Sequence, residues 1–155
     1  MDQFKKDVDR KSVRGQGLAS IEQILSDPVN VKSFKEFCIE EMSVENLLFW
    51  LEVADYKHAE AAEYRKMLAG KIFKKYIKKD APMGIAVQDR TRKAVEAAYE
   101  SLQLDTSLFD SLAQEVVLSM KLDILPRFIE SHYWQDLLEL KFEERKVVDM
   151  KEFDL

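Results

Sequence analysis

SFKEFCIEEMSVENLLFWLEVADYKH, residues 33–58, decides the fold. Its first part is an aromatic-rich helix that ends in an acidic turn at Glu40, Glu41 and Met42. Ser43 reads as the N-cap of a second helix, and Glu45 and Asn46 occupy its first turn. Serine is a favoured cap, and an acidic side chain there suits the positive end of the helix dipole. Leu47, Leu48, Phe49, Trp50, Leu51, Val53 and Ala54 follow almost without interruption. A helix apolar over most of its circumference belongs inside a bundle. The run therefore predicts a buried helix whose polar N-terminus is presented at one end of the domain, and that end is the candidate functional surface.

Outward from this helix the chain reads as further helices. Residues 1–17 are a polar lead-in, with at most a short helix near Gln3–Arg10. An amphipathic helix follows at Leu18–Leu25, stopped by Ser26-Asp27-Pro28, where Asp27 can cap and Pro28 can open the next helix. That next helix runs to about Glu41 and turns Val31, Phe34, Phe37 and Cys38 inward. After His58, helical spacing covers Ala62–Lys79, with Met67, Leu68, Ile72, Phe73, Tyr76 and Ile77 as its apolar positions. Asp80-Ala81-Pro82-Met83-Gly84 breaks it. Gln88–Leu102 and Ser107–Leu122 are two more helices, a short one opens at Pro126, and Tyr133–Leu138 is a final apolar turn. The fold class expected is an all-α bundle of about nine helices, with a domain at 18–140 and a charged tail at 141–155.

Composition narrows function by exclusion. With 155 residues, 46% hydrophobic and 34% charged, the chain suits one folded, soluble domain. A net charge of −5 argues against nucleic-acid binding driven by phosphate contacts. The lone Cys38 excludes an internal disulfide and reads as a small buried hydrophobe. No apolar run reaches the ~18 residues of a membrane span and no secretory signal is visible, so a cytoplasmic location is expected.

Nothing in the pattern suggests an enzyme. His58 and His132 lie far apart and share no metal-ligand spacing with Cys38 or a carboxylate pair. Gly15-Gln16-Gly17 follows no strand, so it is not a phosphate loop. The densest charge cluster is Lys71, Lys74, Lys75, Lys78 and Lys79, near one face of the Ala62–Lys79 helix. A solvated face is the first reading of it, and weak contact with anionic membrane is the second.

Four segments in order carry a resemblance: SVENLLFWLEVADYK at 43–57, DRTR at 89–92, LFDSLAQEVVLSM at 108–120, and D-x-x-x-RFIESHYWQDLL from Asp123. Together they resemble the regulators of G-protein signalling, the RGS domains, from about Leu18 to Leu138. The resemblance implies a nine-helix domain around a central antiparallel four-helix bundle. It implies binding to an activated Gα subunit and acceleration of its GTP hydrolysis, without a supplied arginine, because Gα holds its own in cis. It also implies no metal or cofactor belonging to the activator.

The family's contact surface is three loops at one end of the bundle, corresponding here to Glu41–Asn46, roughly Met83–Arg92, and Ser119–Arg127. Ser43, Glu45 and Asn46 match the family's first loop, and Asn46 is expected to approach a switch segment; simple helix capping is the other reading. Asp123 and Arg127 match the third loop, with an internal pair tying the last helices as the alternative. The middle loop departs: Ala86 stands where the family often has asparagine, and Gln88 where an aspartate usually follows, while Arg92 keeps the family's pattern. Ser119 replaces an apolar contact residue and Met42 an aromatic one. The implied function is GTPase activation of Gα, with recruitment to the inner face of the plasma membrane a separate expectation from the lysine cluster; the alternative is an RGS-homology scaffold that binds partners without accelerating hydrolysis.

Overall fold

The computed structural model describes residues 20–153, with side chains through residue 144. Among them there is no strand, and eight α-helices follow one another. These are α1 (Ile21–Ser26), α2 (Pro28–Glu40), α3 (Glu45–His58), α4 (Ala62–Ile72), α5 (Asp89–Glu100), α6 (Asp110–Leu122), α7 (Ile124–Glu130) and α8 (His132–Phe153). The expected short helix near Gln3–Arg10, like the whole reading of residues 1–17, lies outside the described residues. Helix α1 opens at Ile21, because the Ser20 side chain accepts from the Gln23 backbone N–H.

Helix boundaries depart from expectation at five places, each for a local reason. Ser43 is not the N-cap of α3. Val44 is, in near-helical backbone (φ −89°, ψ −10°), and its carbonyl accepts the first helical bond from Leu48 at 3.0 Å. The α-helix from Ala62 stops at Ile72 instead of Lys79 and widens into a π turn, Phe73–Ile77, which the Lys78 N–H closes onto the Phe73 carbonyl at 2.9 Å. Helix α6 starts at Asp110 and not Ser107, because Asp105 captures both the backbone N–H (3.0 Å) and the hydroxyl (2.7 Å) of Ser107 in a competing turn. Helix α7 starts at Ile124, two residues before Pro126, which fits in the first turn because its missing N–H would have no helical partner there. Finally, Tyr133–Leu138 is no separate turn: α8 runs through it and on to Phe153, with no glycine or proline to stop it.

The chain forms two compact units. One comprises residues up to Glu40 together with those from Asp123 onward. Its core is aromatic: the Phe128 ring meets Phe34 at 5.0 Å, Phe37 at 5.6 Å and Trp134 at 5.7 Å between centroids. Each such pair adds about 0.5–1.5 kcal/mol beyond its area burial. Tyr133 fastens α8 to α2, donating its hydroxyl to Glu40 at 2.6 Å while its carbonyl accepts from Ser33 at 3.3 Å. Lys141 does the same further along α8, donating to the buried Asn30 at 3.0 Å.

The other unit, Glu41–Leu122, packs α3 against α4 and α6, with α5 against α6. Phe49, Val53 and Tyr56 of α3 are buried with Ile72, Tyr76, Val95, Phe109, Leu112 and Val116. Leu48 and Trp50 are partly buried against the same core. So α3 is the central helix of this unit, as its apolar circumference predicts.

Candidate functional site

The antiparallel pairing of α3 and α6 creates the site. Lys57, at the end of α3, bonds Asp110, at the start of α6, at 2.7 Å. These helices have 14 and 13 residues, so the start of α3 and the end of α6 lie together at the opposite end. The middle loop arrives there as well. Its residues Ala86, Val87 and Gln88 line a groove with Leu118, Ser119 and Leu122 of the last two turns of α6, and Glu115, near the middle of α6, accepts the Gln88 backbone N–H at 3.0 Å and the Thr91 hydroxyl at 2.5 Å. Residues 41–46, 83–92 and 119–122 therefore share one end of this unit.

At this end α3 begins without a side-chain capping bond, and Glu45 lies in its first turn. Ser43, Glu45 and Asn46 are all half-buried. Met42 precedes them in left-handed backbone (φ 56°), with its side chain 88% exposed. That conformation costs a non-glycine residue about 1–3 kcal/mol. A large apolar side chain held there in water is an expense that packing does not explain.

Beside the helix start, Ala86, Val87 and Gln88 face Glu115, Leu118, Ser119 and Leu122 across an open groove of about 460 Å³. The four α6 residues fall at i, i+3, i+4 and i+7, one stripe of the helix. Leu118 is 54% and Leu122 69% exposed, so the groove is apolar on its α6 side. Ala86 and Gln88 are exposed, and Ser119 is half-buried between the leucines. Arg92 leans back to Asp89, which also meets Lys93 at 3.0 Å. Hydrogen bonding to Arg92, then to Lys93, holds the Asp89 carboxyl below its usual range.

Asp123 and Arg127 belong to the other unit. Arg127 reaches back to the Asp123 carboxylate at 2.8 Å and to its carbonyl at 3.2 Å. The expected pair is present, but it joins the first turn of α7 to itself and does not tie separate helices. Both side chains are largely exposed, so the pair adds at most about 1 kcal/mol.

The lysine cluster does not form one helix face. Lys71 ends α4, Lys74 and Lys75 lie in the π turn, and Lys78 and Lys79 follow it. Lys75 turns inward to Glu52 at 3.5 Å, while the other four are exposed. No group of three His, Cys, Asp or Glu among the described residues can hold a metal ion. No described helix is long and apolar enough to cross a membrane.

The family model for the regulator of G protein signaling domain matches residues 20–137. This chain belongs to the RGS family. It is 33% identical over 113 residues to regulator of G-protein signaling 10 of Rattus norvegicus, covering 73% of this chain and 61% of that protein. Regulator of G-protein signaling 5 of Sus scrofa is 30% identical over 121 residues, covering 77% of this chain and 65% of that protein. Regulator of G-protein signaling 8 of Danio rerio is 33% identical over 119 residues, covering 77% and 67%. The chain thus matches slightly under two thirds of the length of the first two relatives.

Within this RGS domain, sequence reading missed Glu115, Thr91, Leu118 and Leu122. Glu115 carried a signal: it is a carboxylate on a strongly apolar helix, four residues before Ser119. What the sequence could not supply was the loop whose N–H it accepts.

Proposed function

We propose that this RGS domain binds a heterotrimeric G-protein α subunit in its GTP or transition-state form and accelerates GTP hydrolysis. One observation carries the reading: the uncapped start of α3, with Asn46, shares an end of its unit with the groove lined by Ala86, Gln88 and Ser119. In this account Asn46 and Ser43 offer hydrogen bonds to a switch segment, Glu45 adds charge, and Met42 supplies apolar contact. Gln88 and Arg92 meet the subunit from the middle loop, and Ser119, Asp123 and Arg127 from the third. The domain performs no chemistry of its own, since nucleotide, Mg²⁺ and arginine belong to Gα. It acts by binding the transition-state arrangement more tightly than the ground state, each ~1.4 kcal/mol of preference giving tenfold in rate. The test is affinity for Gα loaded with GDP and aluminium fluoride against Gα with GDP alone. A clear preference for the fluoride form is expected; equal affinity contradicts the proposal.

A second reading, a binding module without activation, is favoured by Ala86, which has no side-chain donor or acceptor. In that case the preference is absent while binding persists. We also propose recruitment to the inner face of the plasma membrane through Lys71, Lys74, Lys78 and Lys79, with Lys75 a lesser contributor. Each well-placed lysine gives roughly 1 kcal/mol on anionic lipid. Co-sedimentation with vesicles of anionic lipid should fall steeply with added salt; indifference to salt contradicts it.

A further inference from the structure

The middle loop is held from two sides. At its far end Glu115 takes the Gln88 N–H and the Thr91 hydroxyl. At its near end the Met83 N–H donates to the Lys75 carbonyl at 3.0 Å and the Ile85 N–H to the Tyr76 carbonyl at 3.1 Å. Both acceptors lie in the π turn. The helical run ends at Ile77, so the carbonyls of its last residues have no partner in a following turn and can serve another segment. Ala86 is the residue that immediately follows this anchored pair.

The side chains of the same two residues belong to a small polar cluster. Lys75 Nζ lies 3.5 Å from Glu52 Oε1 and 5.2 Å from the centre of the Tyr76 ring. Tyr76 is buried edge-to-face against Phe49 at 5.5 Å. The second Glu52 oxygen and the Tyr76 hydroxyl are both buried without a hydrogen-bond partner. Burial first, then the Glu52 carboxylate, pushes the Tyr76 phenol above its ordinary pKa.

We infer that Glu52 and Lys75 are positioning residues for the middle loop: their pair sets the π turn, and the π turn presents the loop to the partner. The consequence for Gα rests on the proposed function; the consequence for the loop does not. The two are measured separately. Amide hydrogen exchange of Met83 and Ile85 is followed in the free protein, and affinity for fluoride-activated Gα in the complex. Glu52→Gln and Lys75→Met should each speed exchange at both amides and weaken binding, on the order of threefold to tenfold. The double variant should add little to either, because both changes act on one network. Lys75→Arg, which keeps the cation, should restore most of both, and Lys66→Met should change neither.

Unchanged exchange at Met83 and Ile85 overturns the inference, whatever Gα does. Faster exchange with undiminished Gα affinity also overturns it, since the loop is then not what the pair controls for the partner. If the unsubstituted protein binds no Gα at all, the proposed function fails instead. Faster exchange in that case still supports the pair's hold on the loop.

Discussion

The two ends of the Glu41–Leu122 unit are built to opposite rules. At the end where α3 finishes, side chains close the structure. Lys57 meets Asp110, the Tyr56 hydroxyl donates to the Asp105 carbonyl at 2.6 Å, and Arg65 donates to the Ala59 carbonyl at 2.8 Å. Asp105 in turn organises Ser107. At the end where α3 begins, the helix has no side-chain cap and Met42 is strained and exposed. Leu118 and Leu122 stand in solvent there, and the main bonds go to backbone N–H groups of the middle loop. One end is spent on stability. The other holds its backbone in place and leaves its side chains for a partner.

Substitutions at the two ends should therefore separate stability from binding. The largest effect belongs to the closed half. Phe109 is fully buried, against Tyr56 at 5.0 Å and Phe49 at 6.4 Å. Phe109→Ala should cost about 3–5 kcal/mol of stability. Thermal unfolding should show it, while the molecules still folded keep normal Gα affinity; equal loss of affinity would blur the division. Next comes Asn46→Ala, which should remove about 1–3 kcal/mol of transition-state binding with melting almost unmoved. A large fall in melting temperature would make Asn46 a structural residue.

Met42→Gly is the sharpest discriminator, because its two effects should have opposite signs. Relief of the left-handed strain should raise stability by about 1 kcal/mol, while loss of the apolar side chain weakens binding. Any variant that improves or worsens both together counts against the contrast. A smaller gain is expected from Ala86→Asn, which restores a donor and acceptor in the exposed loop. Hydrolysis by Gα should quicken modestly; a loss would mean Ala86 does not face the subunit.

The smallest effect concerns acid. Asp89 titrates below its ordinary value of 3.8 because Arg92 and Lys93 bond its ionised form. A depressed folded-state pKa means the folded chain binds fewer protons than the unfolded chain in that window. Its contribution is complete above the unfolded value and fades as pH falls through the folded one. Asp89→Asn should therefore lower the melting temperature slightly at neutral pH, and its difference from the unsubstituted protein should shrink as pH falls below about 4. A difference that persists undiminished at low pH would assign Asp89 a role beyond its ion pairs.

Much of this was legible in the sequence, and the reasons differ by residue. Helix α3 announced itself because seven apolar side chains between Leu47 and Ala54 admit no exposed helix. The buried Phe34, Phe37 and Cys38 followed from spacing alone. Ser43 misled because cap preference is local, whereas Val44 reached near-helical backbone under packing of the helix behind it. The π turn was invisible because Phe73, Tyr76 and Ile77 satisfy an ordinary helical stripe equally well; the carbonyls at its end have meaning only beside Met83 and Ile85. Glu115 was hidden for the same reason, its partners being 24 and 27 residues away. Local pattern shows which helices form. It does not show which backbone groups remain for distant loops.

The most direct test of the account is single-turnover GTP hydrolysis by a panel of Gα subunits, with and without this protein. The account predicts acceleration with at least one Gα, reduced by Asn46→Ala and untouched by a change such as Lys57→Met at the closed end. No acceleration and no binding to any fluoride-activated Gα would contradict it, and the open end would then have to serve a partner of another kind.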